Sequence, residues 1–304
     1  MSTGSHVILN GDLMAREAAR LGIDDLGFLV GDGVFETLRV YGGVPFLLEE
    51  HLARLFASLR IVDIEIPWSR DQLLAQVRLL VESNDVATVS ARLRITVSRG
   101  AGAPPAAAHG VPTLLMTVES YEPPSSTLYD FGVDVEISKH ERQPSLWNRV
   151  KSTSYQPHLV LRREASSNQV FEVLQWNRHG LLTEGSYTNV FIVDATGVLH
   201  TPHPREGCLK GITRNAVRTI ATQTEIPSRE GGIGREMLAA AGEVFLTGSL
   251  VEIVPVRRID AQTVGEACPG PVTRALGHAY RSFVTSVTRP SPGGPTGMGG
   301  FSEE

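Results

Sequence analysis

Lys151, in the stretch NRVKSTSY, follows a turn-rich run, HERQPSLWN. A lysine that is desolvated or crowded by positive charge has its pKa lowered. As a free amine it attacks a carbonyl and forms a Schiff base. A solvated loop charge is the commoner fate of a single lysine, so its company decides. Glu184 stands in GLLTEGSYTNVFIVD, just ahead of an apolar run. A carboxylate in a turn is usually solvated. One that faces a pyridine nitrogen keeps that nitrogen protonated and turns the ring into an electron sink. In LKGITRNAV, Gly211 precedes Ile212 and Thr213 where a helix is expected to begin. The first amides of a helix have no internal partner and bind phosphate, with an ordinary helix cap as the alternative. In FLTGSLVEIVPV, Thr247, Gly248 and Ser249 form a polar turn between two apolar runs. Its amides and hydroxyl can hold further phosphate oxygens, or it is a plain turn.

The surrounding pattern predicts the elements that must position these groups. HVILNG reads as a strand closed by a turn at Asn10-Gly11. In VFETLRVYGG, Val34, Glu36 and Leu38 alternate with Phe35, Thr37 and Arg39, the period of a half-buried strand, and Gly42-Gly43 makes a tight turn. Leu48, Leu52, Leu55, Phe56 and Leu59 recur at helical spacing, and Ser69 with Gln72 predicts a capping box before LLAQVRLLV. ARLRITVSRG and VPTLLMTV read as strands separated by AGAPPAAAHG. YEPPSST is the expected boundary. Beyond it come strands FGVDVEI, FEVLQWN, TNVFIVD and EVFLTG. Helices are expected around HLVLRREASSN, TRNAVRTIAT and REMLAAA, and a closing helix over PVTRALGHAYRSFVTSV has Pro271 near its first turn. The expected division is a smaller N-terminal α/β domain over 1–120, a linker over 121–127, a larger C-terminal domain over 128–287 and a disordered Gly/Pro/Ser-rich tail over 288–304.

Composition narrows the class. The chain has 304 residues, 41% hydrophobic and 20% charged, with a net charge of −5. That suits a soluble protein of two domains of about 150 residues each. No basic cluster with interleaved aromatics is present, so no nucleic-acid partner is expected. Cys208 and Cys268 have neither metal-ligand spacing nor a disulfide framework, so no metal is expected. The start, MSTGSHVILNG, lacks the regions of a signal peptide, and no apolar run reaches the roughly 18 residues of a membrane span. A cytoplasmic enzyme without a membrane partner is expected.

Taken together, GDGVFETLRVYGG, HLARL, ARLRITVSRG, the lysine of RVKSTSY, TEGSYTNVFIV, GITR and FLTGSLVEIVPV resemble the fold-type IV, class IV pyridoxal-phosphate aminotransferases. That family includes branched-chain and D-amino acid aminotransferases, R-selective amine transaminases and aminodeoxychorismate lyases. The resemblance spans residues 31–256 in the family order. It implies a two-domain α/β fold with α+β elements, pyridoxal 5'-phosphate in the cleft between the domains, and a homodimer. It implies that Lys151 is the covalent anchor and proton shuttle and that Glu184 is the partner of the ring nitrogen. Arg54, Gly211, Ile212, Thr213, Gly248 and Ser249 would bind phosphate. Leu209 would pack on the ring, and Tyr155 would reach its phenolic oxygen. The partners implied are an amino donor and a 2-oxo acid acceptor, used in turn.

Substrate choice departs from each subfamily. The Arg-x-His pair that holds the substrate carboxylate in D-amino acid enzymes is replaced in AGAPPAAAHG by Pro104 and Ala106, with His109 nearby. Thr37 is lyase-like and Phe35 replaces a tyrosine. A carboxylate needs a charged clamp. Arg39, Arg92, Arg94 and Arg142 are the candidates, and Leu250 completes the expected pocket; otherwise the substrates are amines. TEGSYTNVF leans toward D-amino acids, with R-primary amines beside them. L-branched-chain amino acids, a lyase reaction and a non-catalytic dimeric scaffold are the alternatives.

Overall fold

The computed structural model describes residues 3–102 and 111–289. Pro104, Ala106, His109 and the tail from 290 onward lie outside the described residues. By contacts the chain forms two compact units. One contains residues 1–123, 150–155 and the chain from 284, and the other contains 124–149 and 156–283. Lys151 therefore packs with the N-terminal sheet, whereas the sequence reading placed it within 128–287.

The first unit is built on β1 (Thr3–Leu9), β2 (Asp12–Ala15), α1 (Leu26–Leu29), β3 (Gly33–Tyr41), β4 (Val44–Pro45), α2 (Leu48–Ile61), α3 (Arg70–Glu82), β5 (Ser90–Ser98) and β6 (Thr113–Ser120). Among the described residues these strands form a six-stranded sheet in the order β2-β1-β6-β5-β3-β4, and its pairs are antiparallel. Its hairpin turns fall where expected. Asn10 and Gly11 have φ of 52° and 97°, Gly42 and Gly43 of 53° and 82°, the left-handed pair that a two-residue hairpin demands. Ser69 accepts from the Gln72 amide and Gln72 from the Ser69 amide, a complete capping box on α3. Leu52, Leu55 and Leu59 of α2 and Leu73, Val77 and Leu80 of α3 pack in one core with Val34, Leu38, Val40, Leu93, Ile95 and Val97 of the sheet.

The second unit contains α4 (Ser126–Phe131), β7 (Val133–Ile137), α5 (Gln156–Ser167), β8 (Glu172–Trp176), β9 (Leu182–Gly185), β10 (Asn189–Val193), β11 (Leu199–Pro202), α6 (Ile212–Gln223), β12 (Ser228–Gly231), α7 (Arg235–Ala239), β13 (Glu243–Gly248), β14 (Glu252–Ile259), β15 (Gln262–Thr263) and all but the last turn of α8 (Pro271–Val287). Its mixed sheet runs β12-β11-β10-β13-β14-β7-β8-β9, with β15 on β14. β10 is buried along its whole length, and so is β13 as far as Thr247. This explains why NVFIV and EVFLT read as apolar runs without alternation. Phe191 and Phe245 stack at their centre, with ring centroids 4.9 Å apart. α4 begins inside the expected linker, because the Ser125 hydroxyl accepts from the Thr127 amide and starts a helix there. Pro271 opens α8, and the Glu243 carboxylate accepts from the Val272 and Thr273 amides.

Candidate active site

In the first unit the site begins with backbone. Phe35 N donates to Lys151 O at 2.8 Å and Thr153 N to Gly33 O at 2.9 Å. Residues 151–153 thus extend the sheet along the free start of β3. The glycines of GDG permit this approach. A Cβ on Gly31, where φ is +70°, would meet Ser154 Oγ at 2.7 Å, and one on Gly33 would meet Thr153 Oγ1 at 3.0 Å. The Thr153 and Ser154 hydroxyls both donate to Gly31 O. Lys151 Nζ lies 4.7 Å from the Phe35 ring centroid and 5.9 Å from that of Tyr155, and the two rings meet edge to face.

Phe35, Thr37 and Arg39 share one face of β3, and the pairing sets Thr96, Arg94 and Arg92 of β5 opposite them. The four candidate arginines separate clearly. Arg92 is ion-paired with Glu119. Arg39 donates to Ser90 Oγ and stacks on Tyr41. Arg142 belongs to the second unit and ion-pairs with Glu184 there. Arg94 lies half-buried over the Phe35 ring at 3.8 Å, donates to Thr96 Oγ1, and has no carboxylate partner among the described residues. Burial lowers its pKa below the ordinary guanidinium value, against an opposing contribution from Tyr155.

The opposite face of β3 carries a group that sequence reasoning passed over. Glu36 is fully buried among Val34, Leu38 and Val40. It accepts from Arg54 Nε at 2.8 Å and Nη2 at 2.6 Å, while His51 Nδ1 lies 2.7 Å from its Oε2. His51 and Arg54 are three residues apart on α2 and so share a face. Burial opposes ionisation of Glu36, but Arg54 and His51 outweigh it and hold its pKa at about 2. Burial lowers the His51 pKa, only partly offset by Glu36. The ionised Glu36 is acceptor-only, so Nδ1 of a neutral His51 carries the proton. The signal available in the sequence was a glutamate on the apolar face of a strand.

A folded pKa below the unfolded value means that stability is present above pH about 4.5 and is lost as pH falls through about 2. The loss expected from Glu36 is about 3 kcal/mol. Urea midpoints measured between pH 5 and pH 2 check it. Equal pH slopes in the parent and Glu36→Gln would contradict this assignment.

In the second unit Glu184 is buried on β9. Its Oε1 pairs with Arg142 Nη2 at 2.8 Å, and its Oε2 accepts from Asn189 Nδ2 at 3.0 Å and from the Leu209 amide at 2.8 Å. Asn189 Nδ2 also donates to Leu209 O, and Arg142 Nε to Gly207 O. One carboxylate therefore ties β9, β10, the loop after β7 and the approach to α6 together. Neither Arg142 nor Asn189 was assigned to Glu184 from the sequence, since the three are far apart along the chain or on different strands. Gly211 caps α6 without a side-chain hydrogen bond. A Cβ there would strike Asn189 Oδ1 at 2.0 Å, so only glycine fits. The first amides of α6, with Ile212 and Thr213 buried, form a donor set for an anion. Gly248 ends β13, Ser249 and Leu250 lie in the turn to β14, and the buried Thr247 Oγ1 has no hydrogen-bond partner among the described residues. Burial and the nearby Glu184 push the Cys208 thiol up to about 12, so it is no nucleophile at neutral pH. No metal-binding group of His, Cys, Asp and Glu occurs among the described residues, and none of their helices is long and apolar enough to cross a membrane.

Residues 33–259 match the family model for class IV amino-transferases. The chain is 31% identical over 291 residues to a D-alanine aminotransferase of Bacillus licheniformis, covering 93% of this chain and 98% of that protein. It is 31% identical over 283 residues to an aminodeoxychorismate lyase of Bacillus subtilis, covering 92% and 95%. The branched-chain amino acid aminotransferase of Escherichia coli superposes with a TM-score of 0.87 at 29% identity, covering 95% of this chain and 98% of that one. The chain belongs to the fold-type IV, class IV aminotransferase family.

Proposed function

We propose that the protein is a pyridoxal-phosphate-dependent transaminase that moves the amino group of an amino acid to a 2-oxo acid. The residues fit the cofactor. Arg54, the first amides of α6 with Thr213, and the 247–249 turn with its unpartnered Thr247 hydroxyl are phosphate donors. Glu184 is an oriented carboxylate suited to a ring nitrogen. Lys151 is an amine held by its own main chain. When bound, the cofactor supplies an aldehyde and a ring that draws electrons from the substrate Cα. Lys151 would anchor the cofactor and, once released, would take up the proton of the substrate Cα and give it back. Glu184 keeps the proton on the ring nitrogen, and Arg142 and Asn189 fix its orientation. Arg54 donates Nε and Nη2 to Glu36, which fixes the direction of its guanidinium. Leu209 and Tyr155 take the ring-face and phenolic-oxygen positions. Donor and acceptor use the same residues in turn, so kinetics are ping-pong.

Arg94 carries the choice of substrate. It is a half-buried guanidinium with no carboxylate partner among the described residues, on the sheet face beside Phe35, whose ring also meets Lys151. It supplies the carboxylate clamp that the 101–110 loop lacks, and Thr37 and Leu250 shape the side-chain pocket. Amino acids are therefore the donors, D-amino acids first, as the likeness to a D-alanine aminotransferase supports. L-branched-chain amino acids are the second reading, supported by the likeness to the Escherichia coli enzyme. The test is loss of the bound cofactor's visible band on adding D-alanine, L-leucine or R-1-phenylethylamine separately. Arg94→Leu is expected to slow the amino-acid reaction by about 10–100-fold, the worth of one charge-assisted contact. Any reaction with the amine, which has no carboxylate, should be unchanged. Equal losses for both classes would remove Arg94 from carboxylate recognition. Bleaching by L-leucine alone would reverse the stereochemical order, and no bleaching would favour the lyase.

The exposed apolar run around α1 supports a homodimer. Ile23 is 81% exposed and Phe28 78%, with Leu21, Leu29 and Val30 around half. Such a patch is unusual on a monomer. Light scattering should give twice the chain mass for the parent and a shift toward monomer for Phe28→Asp. A monomeric parent would end this reading.

A further inference from the structure

Glu172, the first residue of β8, is fully buried and has no cationic partner among the described residues. An ionisable group in that setting is costly unless it is hydrogen-bonded. Oε1 accepts from the Val173 amide at 3.0 Å, the Ser186 amide at 3.0 Å and the Ser186 hydroxyl at 2.6 Å. Oε2 accepts from the Tyr187 amide at 3.3 Å and the Thr188 hydroxyl at 3.0 Å. Four of these five donors come from the turn between β9 and β10. That turn is closed by Gly185 N on Thr188 O. A Cβ on Gly185 would meet Glu172 Cδ at 2.7 Å, so the carboxyl lies directly on the turn's backbone. The residue before this turn is Glu184 and the residue after it is Asn189, which donates to Glu184 Oε2.

We propose that Glu172 is a positioning residue for Glu184: its carboxyl fixes the turn whose two ends carry Glu184 and Asn189. The proposal rests on the reading of Glu184 as the partner of the ring nitrogen. Glutamine at 172 offers one acceptor oxygen in place of two, and its NH2 cannot accept from the Tyr187 or Ser186 amides. The turn loosens and Glu184 loses its fixed orientation, while the helical amides of α6 stay in place.

Three measurements on the cofactor-loaded protein test this. In Glu172→Gln, peptides spanning 182–190 should exchange amide hydrogen about tenfold faster while those of α6 are unchanged. The 15N shift of cofactor labelled at the ring nitrogen should move in the same direction as in Glu184→Gln. Turnover should fall about tenfold in the parent background but less than about twofold when Glu184→Gln is already present, because residues acting through one group are not additive. Thr188→Val deletes one hydroxyl donor, keeps the carboxylate and should show the same pattern more weakly. It serves if Glu172→Gln does not fold. Equal turnover losses in both backgrounds, or unchanged exchange over 182–190, would overturn the proposal. If Glu184→Gln itself leaves the 15N shift in place, the reading of Glu184 has failed. If Glu184→Gln moves it and neither Glu172→Gln nor Thr188→Val does, the role of Glu172 alone has failed.

Discussion

Lys151→Ala is expected to lose covalent attachment of pyridoxal phosphate and to lower turnover by at least about 10²–10⁴-fold, the range for removing a positioned proton-transfer group. The fold should survive, because the contacts that hold this segment on β3 are main-chain bonds and the Thr153 and Ser154 hydroxyls. The phosphate donors are unaltered by the substitution and should still retain cofactor without a covalent bond. The chain has three lysines, Lys139, Lys151 and Lys210, which makes the measurement decisive. Intact mass after borohydride reduction should rise by one reduced cofactor in the parent and not in Lys151→Ala. Peptide mapping should place that mass on Lys151. A reduced adduct on Lys139 or Lys210 in the parent would refute the assignment.

Glu184→Gln is expected to slow the first half-reaction by about 10²-fold or more at saturating cofactor, since it removes the charge that stabilises the proton on the ring nitrogen. It also sets a neutral amide against Arg142 and leaves the Leu209 and Asn189 donors to compete for one oxygen. The loss should fall on the rate of the step rather than on cofactor retention, because the α6 amides and the 247–249 turn are untouched. Stopped-flow loss of the visible band, with cofactor dissociation measured in parallel, separates the two. A parent-like rate in Glu184→Gln, or a loss confined to cofactor affinity, would contradict this role. Both experiments can be run on the same preparations, and Lys151→Ala serves as the zero for the rate measurement.

What sequence reading reached and what it missed divide along physical lines. Local signals carried the elements. The left-handed turns at Asn10-Gly11 and Gly42-Gly43, the capping box on α3, the alternation along β3 and the start of α8 at Pro271 depend on a few neighbouring residues, and all appear in the structure. Ordered motifs along residues 31–256 carried the family. What only the tertiary structure decided is pairing across long separations. That residues 151–153 add to the edge of β3 follows from hydrogen bonds to residues more than a hundred positions away. Glu36 becomes a buried ion-pair centre because the β3 pleat points it at α2, where His51 and Arg54 share a face. Arg142, one of four equivalent-looking arginines, is committed to Glu184, and Arg94 is set apart by having no carboxylate partner among the described residues. Charge type can be read from a sequence. Which charges meet depends on sheet register and on the desolvation that forces each buried group to find a partner.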